Sequence, residues 1–178
     1  MRSVSGEPGR AMEAAMDRDQ FRALISELTA QIAAQTLDAA LAERLNREHP
    51  AGSWTYEAIF SACREAIADG WMCGREADRI RYGRVIKPGP ETHGFSVDVV
   101  DMNDCAGPHH LHPNGEIDLV MPLDRGAAFD GQGAGWTVYG PGSGHFPTVS
   151  GGRALVLYLL PQGAIQFTGK RAEEEQPA

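Results

Sequence analysis

Apolar residues recur at helical spacing through the first part of the chain. Phe21, Leu24, Ile25, Leu28 and Ile32 form one stripe, with Asp19 available as its cap. The pattern resumes after Thr36 with Leu37, Leu41 and Leu45, and it ends near His49-Pro50, where proline stops a helix. Ser53 can cap a third helix that runs to about Asp69. Tyr56, Ile59, Phe60, Cys63 and Ile67 share one of its faces, and Gly70 ends it. The stripes predict a helical segment over residues 19–78 that packs on a sheet or on a partner subunit.

The period then shortens. Arg79–Ile86, Phe95–Met102, Ile117–Pro122, Trp136–Tyr139 and Arg153–Leu160 are β-rich runs. Turn-forming stretches separate them: PGP, GPHHLHPNG, GQGAG, PGSGHFP and SGG. Several short strands in succession predict an all-β barrel or sandwich, here over residues 79–169. Residues 1–18 and 170–178 read as loose tails.

Composition narrows the function classes. The net charge is −8 and no Lys/Arg run is present, so no nucleic-acid partner is expected. No apolar run is long enough to span a membrane, and the first residues lack the apolar core of a secretory signal. The three cysteines, Cys63, Cys73 and Cys105, have no CxxC spacing. They fit reduced thiols in a cytoplasmic protein.

Four of the six histidines fall between residues 109 and 145. In an extended GPHHLHPNGE segment, alternation puts His110 and His112 on one face and His109 on the other. A turn at Pro113-Asn114-Gly115 returns Glu116 beside the two imidazoles. A second tight turn, Gly140-Pro-Gly-Ser-Gly-His145, can bring a third imidazole from another strand. Three imidazoles and a carboxylate without thiolate suit one divalent transition metal ion. Fe(II) or Mn(II) is favoured, and Zn(II) or Ni(II) is compatible. His109 and Glu116 are candidate acid/base groups, and Asp118 shares the parity of Glu116 and could orient a ligand imidazole.

These residues resemble the cupin superfamily. The HxHxxxE core of its first motif is matched by His110, His112 and Glu116, and its second motif by Pro141, Gly142 and His145. The resemblance implies a mainly β fold: a cupin-type β-barrel, or double-stranded β-helix, with an N-terminal helical segment. It also makes a homodimer the expected assembly. Over most of its length the chain further resembles the bacterial 4-hydroxylaminobenzoate lyases, through HHLHPNGEIDLVMP and FDGQGAGWTVYGPGSGHFPTVSGGRALVLYLLPQG. That resemblance implies conversion of 4-hydroxylaminobenzoate to 3,4-dihydroxybenzoate with release of ammonia.

A small aromatic carboxylate needs a cation and apolar walls. Arg79, Arg81, Lys87 and Arg153 are the candidate cations, and Phe95, Trp136, Tyr139 and Tyr158 the candidate walls. Arg81, Lys87, Trp136 and Tyr158 are the substrate contacts carried forward. The competing functions are another cupin enzyme (an iron dioxygenase, isomerase or decarboxylase) and a non-enzymatic cupin that senses a small molecule or metal.

Overall fold

A computed structural model describes residues 16–172. The tails expected over 1–18 and 170–178 lie outside the described residues, apart from 16–18 and 170–172. Three helices come first: α1 (Arg18–Ile32), α2 (Ala39–Glu48) and α3 (Trp54–Asp69). Asp17, not Asp19, caps α1. Its carboxylate accepts the Gln20 N–H while the Gln20 side-chain oxygen accepts the Asp17 N–H. Asp38 and Ser53 cap the next two helices, and Gly70 ends α3 in the left-handed region.

The sheet begins inside the segment expected to be helical. Its strands are β1 (Arg75–Ala77), β2 (Ile80–Ile86), β3 (Phe95–Ala106), β4 (His110–His112) and β5 (Glu116–Pro122). They continue with β6 (Ala128–Phe129), β7 (Gly135–Tyr139), β8 (Ser143–His145), β9 (Thr148–Pro161) and β10 (Gln166–Phe167). The larger sheet has the order β1-β2-β3-β9-β5-β7, with β6 joined to β9, and the smaller sheet is β10-β4-β8. All of these pairings are antiparallel.

Alternation divides the large sheet into two faces. Val97, Val99, Leu119, Leu155, Leu157 and Leu159 belong to one buried cluster with Phe21, Ile25, Leu28, Leu45 and Ile59 of the helices. Each such side chain contributes about 1.5–3 kcal/mol on burial. The helical stripes are therefore used within the chain, against the outer face of the barrel. The inner face carries a second cluster of Val100, Met102, Val120, Val156 and Tyr158 with Phe129 and Val149.

Two polar contacts fix the helices on the sheet. The Tyr56 hydroxyl donates to the Val120 carbonyl at 2.9 Å. The Asn46 amide accepts the Trp136 N–H at 2.8 Å and donates to the Trp136 carbonyl at 2.9 Å. Asn46 thus occupies the free edge of β7 as a neighbouring strand would, which keeps that edge from pairing elsewhere.

Candidate metal centre

His110 and His112 lie on β4, His145 on β8 and Glu116 at the start of β5. β4 and β8 pair with His110 opposite His145 and His112 opposite Ser143. Register alone thus brings two imidazoles side by side. The turn that delivers Glu116 depends on Gly115, which has φ 88°. A Cβ there would meet Leu37 at 2.7 Å and the Tyr139 carbonyl at 2.8 Å.

One ligand atom from each of His110, His112, Glu116 and His145 lies within 4.8 Å of every other. His110 Nε2 is 3.1 Å from His145 Nε2, and His112 Nε2 is 3.0 Å from Glu116 Oε2. His110, His112 and Glu116 are buried, and the His145 side chain keeps 12% of its exposure.

The surrounding hydrogen bonds set each ring's tautomer. His110 Nδ1 faces the Pro108 carbonyl at 3.3 Å and must donate to it. The Ser143 hydroxyl donates to the Gly140 carbonyl at 2.6 Å, so its oxygen accepts from His112 Nδ1 at 3.0 Å. His145 Nδ1 donates to Asp130 Oδ2 at 2.5 Å. All three neutral rings therefore present an Nε2 lone pair to a common point.

Convergent lone pairs repel unless a cation lies among them. His112 Nε2 and both Glu116 oxygens are buried without a hydrogen-bond partner: with the proton on Nδ1, His112 Nε2 meets Glu116 Oε2 as one acceptor facing another. Orphaned buried groups of this kind are costly in a folded protein. The nitrogen and oxygen donor set, the tautomers and the orphaned atoms together fit a divalent metal ion.

Burial opposes the ionised form of Glu116. The His110 and His112 imidazoles and Asp118 outweigh it and hold the carboxyl well below the ordinary carboxylate range. Asp118 moves the other way: burial first, then the charge of Glu116, push it well above that range.

The sequence did not single out Asp130, which carries much of the geometry. Besides His145, Asp130 accepts the Tyr139 hydroxyl at 2.6 Å and the Thr148 N–H at 2.9 Å. Asp118, expected to orient an imidazole, hydrogen-bonds none of them. Tyr139 packs 4.6 Å from the His145 ring and 5.3 Å from the His112 ring, centroid to centroid. Phe167, largely exposed, stands edge-on to His110 at 5.6 Å and marks the mouth of the site.

The other candidates are dispersed. His109 lies on the opposite side of β4 from the cluster, against Phe146 at 4.8 Å and with Nδ1 2.9 Å from the Thr168 hydroxyl. Strand alternation turns it away from the four convergent side chains. Arg81 is in register with Asp101 on the outer face, where Asp101 also pairs with Arg153. Arg79 and Lys87 are exposed beyond the two ends of β2. Phe95 and Trp136 are buried in the helix-side cluster, and the Trp136 indole N–H donates to the His49 carbonyl. Tyr158 alone of the four carried-forward substrate contacts faces the barrel interior. Cysteines 63, 73 and 105 are free thiols outside the cluster. A surface cleft of about 590 Å³ lined by Tyr56, Phe60 and Pro122 shares no residue with the cluster.

Two facing antiparallel sheets that turn three imidazoles and a carboxylate inward define a cupin-type barrel. More narrowly, the chain belongs to the 4-hydroxylaminobenzoate lyase family, whose pattern matches residues 23–167. A 4-hydroxylaminobenzoate lyase of Pseudomonas putida is 33% identical over 167 residues, covering 84% of this chain and 95% of that protein. A second, of Nocardioides sp. (strain LMS-CY), is 36% identical over 132 residues, covering 69% of this chain and 78% of that protein. Among solved structures the chain is similar to an RmlC-like cupin protein of Ralstonia eutropha JMP134. There the TM-score is 0.40 at 11% identity, covering 57% of this chain and 66% of that one. No described helix is long and apolar enough to cross a membrane.

Proposed function

We propose that this protein is a metal-dependent lyase that converts 4-hydroxylaminobenzoate and water to 3,4-dihydroxybenzoate and ammonia. The observation that carries the reading is the set of three Nε2 lone pairs and one carboxylate aimed at a single point in the barrel. The name shared by the two relatives supports the substrate. Fe(II) or Mn(II) is the ion we favour, with Zn(II) and Ni(II) compatible with the same donors.

Bound by His110, His112, Glu116 and His145, such an ion would supply a Lewis acid that polarises an oxygen ligand. The remaining work belongs to the chain. Asp130 and Ser143 hold the His145 and His112 rings in the tautomer that leaves Nε2 free. Glu116 Oε1, without a hydrogen-bond partner, is the acid/base atom we assign at the centre. The strand direction of His109 makes it a weaker candidate for that role.

On the inner face, Tyr158 and Tyr139 offer walls for the aromatic ring. In place of Arg81 and Lys87, we assign the substrate carboxylate to Arg84. That residue shares the inner face with Asp98 and holds it through two donors. The free thiols support a cytoplasmic setting. A homodimer is the assembly we propose, with the largely exposed Trp54 as an apolar contact point.

The test is an assay of ammonia and 3,4-dihydroxybenzoate from 4-hydroxylaminobenzoate, run with and without oxygen. Equal product under both conditions is expected. Turnover that stops without oxygen would indicate a dioxygenase, and absence of ammonia would overturn the lyase reading.

A further inference from the structure

Among the described residues three large apolar side chains are exposed: Trp54, Tyr82 and Phe167. Phe167 belongs to the two-residue strand β10 and is in register with His110 of β4. Antiparallel partners share a face, so the Phe167 ring lies on the side of the small sheet that carries the candidate ligands. It meets the His110 ring edge-on, with centroids 5.6 Å apart, and Phe167 still leaves 60% of its surface in water. An aromatic side chain that touches a candidate ligand and keeps most of its apolar surface open can take a second ring against it.

Two residues of pairing hold a sheet edge weakly, and contacts beyond β10 reinforce it. The His109 N–H donates to the Lys170 carbonyl at 3.1 Å, and the Thr168 N–H donates to the His109 carbonyl at 3.2 Å. His109 Nδ1 lies 2.9 Å from the Thr168 hydroxyl. His109 itself points away from the four convergent side chains, yet it fastens the strand that carries Phe167 toward them. Upstream of β10, Arg84 Nη2 donates to the Gly163 carbonyl at 3.3 Å. One short segment, 163–167, therefore joins Phe167 to the residue assigned to the substrate carboxylate.

We propose that Phe167 is a specificity-determining residue whose exposed ring packs on the aromatic ring of the substrate at the mouth of the site. The proposal rests on the reading of the barrel as an aromatic-acid site and deepens it. Phe167 adds a wall from the small sheet to those that Tyr158 and Tyr139 offer from the large one. The contact selects a planar aromatic ring over a saturated ring of the same charge.

Two unreactive carboxylates test this by calorimetry on the purified full chain. Benzoate has an aromatic face, whereas cyclohexanecarboxylate has the same charge and a saturated ring. The ratio of the two affinities, benzoate over cyclohexanecarboxylate, should fall about two- to tenfold from wild type to Phe167→Leu, as expected for the loss of one ring–ring contact. Phe167→Leu keeps apolar bulk and should keep its affinity for cyclohexanecarboxylate. Phe167→Tyr should keep the wild-type ratio.

Because Phe167 is largely exposed, Phe167→Leu should match the wild type in metal content and thermal midpoint. A ratio unchanged by Phe167→Leu, or a wild-type protein that binds neither carboxylate, overturns the proposal. Loss of metal in Phe167→Leu would make the ring a shield for His110 and overturn it too. Ammonia release by the wild type, measured in parallel, decides the lyase reading separately. A protein that releases none but shows the change in ratio keeps the ring contact and loses that reading.

Discussion

Asp130 and His145 are 15 residues apart in sequence and in direct contact in the fold, Oδ2 to Nδ1. Asp130 follows β6 with φ 48°, a left-handed conformation that aspartate adopts more readily than most residues. That turn aims one carboxylate oxygen at His145 and the other at the Thr148 N–H. His145 is the most exposed of the four convergent side chains, and Asp130 is what fixes its ring.

Asp130→Asn should therefore weaken metal affinity by about 10–100-fold. If the amide oxygen keeps the Thr148 contact, the amide NH2 faces the Nδ1 donor of His145, and the ring must change tautomer or turn. The measurement is a competition titration against a chelator of known affinity. Circular dichroism should show an unchanged fold.

Single ligand removals separate metal loss from unfolding. The two apolar clusters do not include the four candidate ligands, so the fold has its own support. His145→Ala and His110→Ala should each lose bound metal and turnover while retaining a cooperative melt. Elemental analysis and thermal denaturation of the same samples check this.

Asn46→Ala removes both contacts to the Trp136 backbone and leaves the edge of β7 unpaired on the helix side. A loss of about 1–3 kcal/mol is expected in denaturant unfolding. The metal content should not change, because Asn46 touches the outer face, away from the four candidate ligands.

Tyr56 links stability to alkaline pH. Burial, then the charge of Glu57, push its phenol from the ordinary 10 up to about 12. In the unfolded chain the phenol ionises from about pH 10, while the folded chain keeps its proton until about 12. Unfolding therefore releases a proton in this window, so stability falls as pH rises from 10 to 12. Tyr56→Phe should flatten that part of the profile. It should also cost about 1 kcal/mol at neutral pH through the lost bond to Val120.

Local chemistry made much of this legible in the sequence. The helical stripes of α1 to α3 are the residues buried on the sheet, because an amphipathic helix has one face to bury. Strand parity separated His110 and His112 from His109, since alternation is a property of the backbone itself. The cap of α1 was misplaced by two residues because Asp17 and Asp19 are both chemically able to cap. Only Asp17 has a glutamine at the position that completes the box.

What the sequence hid is what long-range pairing decides. Asp130 lies in a glycine-rich FDGQGAG stretch and reads as an ordinary turn residue. Its role exists only once β8 and β6 are brought together through β9. Trp136 and Arg81 sit on strands, but which face became the interior depended on where the helices docked. Arg84 could have been found by extending to β2, β3 and β9 the parity argument that had singled out Asp118, given the register.

The most direct test of the central claim is the metal content of freshly purified protein set against turnover of 4-hydroxylaminobenzoate. About one divalent ion per chain is expected, with ammonia release lost on chelation and restored by Fe(II) or Mn(II). Full ammonia release from chelated, metal-free protein would contradict it.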